Sequence, residues 1–496
     1  MGRRLVAGGL VAIIVVLAIV VLRTLSLTTP QPPGLAKAPA RDVDVDAAAA
    51  HLARGLTFET IALGEDTPVP AEAFFALHEH LAASYPRVHA SLERELVSDY
   101  SLLYRWPGRD ASRKPGLLMA HQDVVPVDAG EWQHPPFAGE IVDGVLWGRG
   151  AIDDKGSLYA ILEAVELLLA EGFVPESDLY IFFGHDEELG GPDGAVPAAA
   201  LLAERGVELA WVLDEGGFVV SGLVPGSEAG IALVGIAEKG SVTYTLSVDV
   251  PGGHSSMPPR HTAIGILAEA INRLEANPVP GGIDAVNEEF LVAIAPQLPF
   301  PVRAALANLW LFRPLVEASL SASPPMDAMQ RTTTAVTVVH GGVKSNVLPS
   351  HAEATVNFRI KPGDTAETVR EHVVRSIDDE RIVITRGDWY REASPVSRTD
   401  SAAFALLRDT IGEIFPGIPV VPYTVVGGTD SRNFYPLTPN VFRFAPFRYG
   451  TDATTIVHGT DERLEVAQLG DAVRFYARLI ESSGRGSGSG VGSVAD

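Results

Sequence analysis

Residues 148–171 read GRGAIDDKGSLYAILEAVELLLAE, a glycine-rich turn carrying two adjacent acids that runs straight into a long segment with an apolar face. Leu158, Ile161, Leu162, Val165 and Leu168 recur at helical spacing between Gly156 and Glu171, so the segment is a helix that buries one side. Apolar runs of strand length surround it: Leu117–Ala120 before, Leu179–Phe183 and Leu209–Leu213 after. Buried strands that alternate with amphipathic helices are the pattern of an α/β domain.

The pattern changes after Lys239. Val242, Tyr244, Leu246, Val248 and Val250 alternate with Thr243, Thr245, Ser247 and Asp249, which predicts a strand with one wet face. A helical stretch (His261–Ala276), strands at Thr333–His340 and Ala352–Ile360, a helix at Thr365–Ile377 and a strand at Arg381–Thr385 complete a β-α-β-β-α-β order. That order predicts a separate ferredoxin-like α+β domain. Because α/β material resumes near Ser401, the unit reads as an insertion: 45–238 and 387–481 are two parts of one catalytic domain, and 239–386 is a lid or dimerisation domain between them. Residues 277–330 interrupt the insert. Their run Leu309, Trp310, Leu311, Phe312 is too apolar for an ordinary surface loop. It is expected either to line an acyl pocket or rest on a membrane, or else simply to pack on the lid.

At the N-terminus, Leu5–Leu22 is an uncharged apolar run of 18 residues, close to the length that crosses a bilayer. Arg3 and Arg4 precede it and Arg23 follows. Residues 1–24 therefore read as a transmembrane anchor with a cytoplasmic N-terminus, which places the catalytic part on the extracellular, periplasmic or lumenal side. The alternative is a cleaved signal peptide and a secreted chain. Residues 25–44 are a proline-rich linker, and 482–496, nearly all Gly and Ser beyond Ser482, read as a disordered tail.

The chain has 496 residues, 46% of them hydrophobic and 20% charged, enough for two or three domains and too apolar for global disorder. Sixty-two acids against 38 bases leave a net charge of -24, which repels phosphate backbones and excludes nucleic acid as a partner. With no cysteine, any metal must sit among histidines and carboxylates.

Such residues cluster where strands end. His121 and Asp123 follow the run ending at Ala120; two apart in an extended segment, they share a face, so Asp123 can orient the His121 ring. Asp153 and Asp154 open the helix, where adjacent acids ordinarily serve only as caps. Glu187 and Glu188 follow Tyr180–Phe183 and can divide metal binding from proton transfer, although an acidic pair in a loop is also simply solvated. Asp214 and Glu215 follow Val212-Leu213, and His458 stands near the end of the ordered chain. Open α/β sheets place ligands at the carboxyl ends of their strands, so the conjunction points to a metal site.

His121-x-Asp123, the Gly-x-Gly-x-x-Asp153-Asp154-Lys155-Gly run, Glu187-Glu188, Asp214-Glu215-Gly216, Gly253-His254-Ser255 and His458-Gly459 stand in the order found in a known family. In this the chain resembles the co-catalytic zinc metallopeptidases of clan MH, of the aminoacylase and carboxypeptidase S type, over about residues 45–480. It is most similar to the membrane-anchored carboxypeptidase S and N-fatty-acyl-amino-acid hydrolase branch. The resemblance implies a mixed sheet flanked by helices and two zinc ions per chain. Asp153 would bridge them, with His121 and Glu215 on one and Glu188 and His458 on the other; either Asp214 or Glu215 fits that ligand position, and Glu215, followed by Gly, aligns better. It implies Glu187 as the general base toward a water between the metals, Asp123 behind His121, and a cis peptide between Asp153 and Asp154. In the inserted domain it implies His254 as a transition-state donor, with Asn346 and Arg359 on the substrate carboxylate. Gly428, with nearby Asp430 and Arg432, looks like a substrate-side loop.

The activity so implied is hydrolysis of the amide bond to a C-terminal amino acid, in a small peptide or an N-acyl amino acid with a free carboxylate. The family allows a homodimer in which a partner subunit supplies His254. Rival readings are a non-peptide amidase or deacylase, an N-acyl-amino-acid synthase, and an inactive surface binding protein on a hydrolase scaffold. Competent residues at every motif position argue against the last.

Overall fold

The computed structural model describes residues 2–27, 41–64, 67–222, 230–450 and 453–484. Its centre is a ten-stranded mixed sheet. Strands Leu179–Gly184, Gly116–His121 and Trp211–Asp214 are consecutive neighbours and mutually parallel, and Val441–Arg443 continues the parallel block beside the last of them. Glu93–Val97 and Ser101–Trp106 close one edge antiparallel, while Ile231–Glu238, which pairs parallel with Val420–Val425, lies towards the other. Every residue of Gly116–His121 and of Leu179–Gly184 is buried, which is why these strands read as unbroken apolar runs rather than alternations. The helix Lys155–Ala170 lays Leu158, Ile161, Leu162, Val165 and Leu168 into the main core, together with the closing helix Val466–Ser483.

A second, antiparallel sheet has the order Thr333–Gly341, His351–Ile360, Gly240–Asp249, Val383–Arg391. Helices Ala263–Ala276 and Ala366–Ile377 share its own apolar core with Val242, Tyr244, Leu246 and Val248. Lys239 alone separates the strand Ile231–Glu238 of the large sheet from Gly240–Asp249 of the small one.

Several sequence boundaries move. The last strand of the small sheet runs to Arg391, not Thr385, so a division at 386/387 cuts through it. Its outer stretch is an exposed edge of arginines and aromatics, on which hydropathy is silent. The apolar N-terminal helix runs Gly2–Ser26, two residues past the expected anchor. The closing helix runs to Ser483, and Gly484 O accepts from Arg113 (2.7 Å), so the tail cannot begin at Ser482. Most of the expected linker and of the tail, residues 28–40 and 485–496, lies outside the described residues.

The segment 277–330 is helical (Ala285–Ile294, Phe300–Ala307, Leu309–Ser321, Pro324–Gln330) and does not pack on the small domain's core. Phe290, Leu291, Leu306, Leu309 and Val316 pack instead on Ile231 and Val421 of the large sheet. Leu309 and Phe312 turn into this cluster, whereas Trp310 and Leu311 are exposed.

Candidate metal centre and active site

The three parallel neighbours put their carboxyl ends side by side, and each delivers candidates there. His121 is the last residue of its strand, Glu187 and Glu188 open the short 3-10 turn Glu187–Leu189 after Leu179–Gly184, and Glu215 follows Trp211–Asp214. Asp153 comes from the loop before Lys155–Ala170, and His458 from the loop after Ala453–Ile456.

Asp153 lies between two imidazoles: its Oδ1 is 2.8 Å from His121 Nε2 and its Oδ2 is 2.9 Å from His458 Nε2. His458 Nε2 is also 3.2 Å from Glu188 Oε1, and His121 Nε2 is 3.9 Å from Glu215 Oε1. The ligand-capable atoms of His121, Asp153 and Glu188 lie within 4.8 Å of one another, and so do those of His121, Asp154 and Glu215. Asp214 turns away, its Oδ2 accepting from Ser431 N at 2.9 Å, so Glu215 is the acid of that pair that faces the cluster. The Asp153–Asp154 peptide is cis.

Asp123 ties two motifs together. It is fully buried, its Oδ1 is 3.3 Å from His121 Nδ1, and its two oxygens accept from the amides of Glu187 (3.2 Å) and Glu188 (3.0 Å). Its carbonyl oxygen is closer still to His121 Nδ1, at 3.0 Å, so Asp123 orients the ring through both groups while its carboxylate fixes the turn that presents both glutamates. His458 needs the glycine after it, because a Cβ at Gly459 would sit 1.9 Å from Thr455 O.

Five carboxyl groups (Asp153, Asp154, Glu187, Glu188 and Glu215) crowd around two imidazoles. Burial, followed by repulsion among the acids, pushes the pKa of Glu187, Glu188 and Glu215 upward. Burial opposes charge on His121, but Asp123 and Asp153 outweigh it and raise its pKa; bonds to Asp153 and Glu188 push His458 up to about 10. Burial would raise Asp153, yet bonds from His121 and His458 hold it well below the carboxylate range. An acidic donor set of this kind, with imidazole nitrogens and no thiolate, fits divalent zinc.

The cluster opens into a cavity of about 800 Å³ lined by Asp153, Glu187, Glu188, Glu215 and His458 on one side. Lys239, Arg359, Arg391 and Arg432 give it cations, and Gly428 belongs to its wall. Of the residues expected on the substrate, Arg359 and Gly428 are therefore at the cavity, but His254 and Asn346 are not. These two sit together on an exposed two-stranded ladder of the small domain, Gly253–His254 with Val347–Leu348, where Ser255 N donates to Asn346 O at 3.2 Å. Asp430 is buried behind the wall, its carboxyl oxygens against Gly184 and Gly191. Trp310 takes no part in the cavity, so the pocket expected of it is not there; Pro325 and Ala328 are what its segment contributes.

Sequence reasoning missed four residues. Asp154 read as a cap, yet its side chain makes no capping bond and joins the cluster. Glu462 is fully buried and accepts from the amides of Gly150 (3.1 Å), Ile152 (2.7 Å) and Asp153 (3.1 Å) and from Arg149 (2.6 Å), which fixes the loop that carries Asp153. Its only signal was its place four residues after His458. Lys239 and Arg391 reach the cavity from the domain junction and from the end of the edge strand, positions that no motif marks.

Residues 117–482 match the model of the peptidase family M20/M25/M40. The chain is 41% identical over 481 residues to the "Probable carboxypeptidase S-like 2" of Dictyostelium discoideum, covering 94% of this chain and 92% of that one. It is 41% identical to the human "N-fatty-acyl-amino acid synthase/hydrolase PM20D1" (79% and 78% covered) and 31% identical to the carboxypeptidase S of Saccharomyces cerevisiae (84% and 79%). Among solved structures, an M20 family metallo-carboxypeptidase from Sulfolobus solfataricus shares its fold at a TM-score of 0.64, with 18% identity over 88% of this chain and 98% of that one. The chain is a hydrolase and belongs to the M20/M25/M40 peptidase family.

Proposed function

We propose that the chain is a zinc-dependent hydrolase of the amide bond to a C-terminal amino acid, acting on N-acyl amino acids or short peptides with a free carboxylate. One observation carries the reading: the acid-and-imidazole cluster around Asp153 and the cationic groups Lys239, Arg359, Arg391 and Arg432 share a single cavity. The planar fork of Arg359 suits a substrate carboxylate, and holding that group sets the adjacent amide against the cluster. His121 with Glu215, and Glu188 with His458, would hold the two metals on either side of Asp153. Zinc bound there supplies Lewis acidity toward water and toward the scissile carbonyl. Glu187 takes the proton of the attacking water as its oxygen bonds to the carbonyl carbon, and returns it to the nitrogen as the C–N bond breaks. The products are a carboxylic acid and a free amino acid. Leu189, Pro325, Ala328, Val425 and Val426 offer an acyl chain an apolar wall, which favours N-acyl amino acids, as do relatives named for N-fatty-acyl-amino acids.

The full-length chain in detergent should release free amino acid from N-acyl amino acids faster than from dipeptides, lose that activity to a chelator and regain it with zinc. If neither substrate class yields amino acid at any zinc level, the reading fails.

The pH dependence should report the cationic wall. Burial, then the nearby Arg359, lowers the pKa of Lys239 to about 8. A lysine so depressed is charged below that pH and neutral above it, so its attraction for a carboxylate is present at pH 7 and lost as pH rises. The parent's kcat/KM should therefore fall through about pH 8, and Lys239→Met should be lower at pH 7 and lack that limb. An unchanged limb in the variant would assign it to another group.

We also read the N-terminal helix as spanning a bilayer, with the catalytic part on the non-cytoplasmic side. Val6–Ser26 is 21 residues with a mean hydropathy of 2.8. At 1.5 Å per residue it covers roughly 31 Å, the thickness of a hydrocarbon core.

A further inference from the structure

We propose that the corner between helices Phe300–Ala307 and Leu309–Ser321 is a membrane-interface dock that inserts Trp310 and Leu311 into the headgroup boundary beside the N-terminal helix. The proposal rests on reading that helix as a membrane span.

The helix is not free of the rest of the chain. Asn308, fully buried at the corner, donates from Nδ2 to Val20 O (3.2 Å) and to Thr24 Oγ1 (3.4 Å), and Thr24 is itself fully buried. Arg303 donates to Leu27 O, and Leu27 packs into the cluster that the segment forms with Ile231 and Val421. These bonds fix a direction as well as a contact. Moving from Arg303 to Asn308 along the first helix corresponds to moving back from Leu27 to Val20 along the N-terminal one. The first helix therefore descends toward the bilayer, and the corner at Asn308 is its deepest point.

The depth follows from the helix rise. Val20 and Thr24 lie six and two residues before Ser26, the last residue of the span Val6–Ser26, roughly 9 and 3 Å inside its end. Interfacial helices bury their apolar side about 5–10 Å into the headgroup and acyl boundary. Arg23, one residue before Thr24 in the last turn, lies at that same depth and can extend its long side chain outward to the headgroups.

The side chains at the corner suit that level. Trp310 is 52% exposed and Leu311 42% exposed. The Trp310 indole N–H donates to Asn308 Oδ1 at 3.2 Å, so its polar end is satisfied within the protein while much of its ring faces outward. Tryptophan in that state belongs at a membrane interface. Leu315, 66% exposed, continues the Leu311 face one turn on. With a net charge of -24 the chain gains nothing from anionic lipid overall, so the bilayer it fits is a zwitterionic one held by apolar contact. The same segment ends in Pro324–Gln330, whose Pro325 and Ala328 line the catalytic cavity, so docking would fix that wall relative to the membrane.

The absence of cysteine permits single labelled positions in the full-length chain. In phosphatidylcholine vesicles, an environment-sensitive fluorophore on Leu311→Cys should lose emission to a nitroxide carried near the lipid headgroup and keep it with one at the acyl terminus. On Leu17→Cys, near the middle of the span, the acyl-terminal nitroxide should be the effective one; on Val343→Cys, an exposed position of the small domain, neither should act. If Leu17→Cys is quenched and Leu311→Cys stays aqueous, the dock is overturned while the span stands. If Leu17→Cys is itself aqueous, the span falls and the dock falls with it.

Discussion

Glu187→Gln should keep its metal and its fold but lose about a hundredfold to ten-thousandfold in kcat, the usual worth of a positioned general base. Asp123 holds the amides of Glu187 and Glu188, so the backbone that presents residue 187 depends on neither its charge nor its side chain. Glutamine matches glutamate in size and still accepts a hydrogen bond at its oxygen, but it cannot take a proton from water. The raised pKa of Glu187, caused first by burial and then by the carboxyls of Asp430 and Glu188, makes it a stronger base than a solvated glutamate. Metal content by elemental analysis, beside kcat on an N-acyl amino acid, separates this role from that of Glu188, whose Gln variant should lose metal. Activity of Glu187→Gln within about threefold of the parent, far short of that range, would remove it from proton transfer.

How much of this was legible in the sequence depended on burial. Strands covered on both faces, such as Gly116–His121, betray themselves as apolar runs, and the acids and histidines at their ends then stand out against that background. Chain order also carried the small domain, because Gly240–Asp249 has one dry and one wet face and so alternates. The edge strand Val383–Arg391 was cut short because both its faces are largely exposed, leaving no hydropathy pattern to read. Glu462 and Asp154 escaped because their partners are backbone amides and an acid-and-imidazole cluster that only folding assembles. Leu309 to Phe312 looked like one feature; a helix splits neighbouring residues between opposite sides, so Leu309 and Phe312 went to the core and Trp310 and Leu311 to the outer face.

His254→Ala should depress kcat while metal content stays normal, and its activity should return when it is mixed with Glu187→Gln. His254 is exposed, its Nδ1 2.8 Å from Ser256 Oγ, and it lies apart from the cavity together with Asn346. Two routes would bring it to a scissile carbonyl: closure of its own domain, or donation by a second subunit. Contacts already in place weigh against closure. Arg391 of the small sheet donates to Gly190 O in the turn after Glu188, and Arg432 donates to Glu392 O, so the small domain is pinned to its own catalytic loops by the end opposite the histidine ladder. Among the described residues the outer strand Thr333–Gly341 is paired on one side only, with Val338 and Val339 exposed, which is the kind of edge a second copy pairs with. In a mixed dimer, the His254→Ala chain keeps Glu187 and receives an intact His254 from the Glu187→Gln chain, so one of its two sites is complete. Equal mixing with free exchange makes half the dimers mixed, and recovery should approach about a quarter of parental activity. No recovery despite proven exchange means that the histidine serves its own chain by closure. Full activity of His254→Ala alone would leave it no part in the reaction by either route.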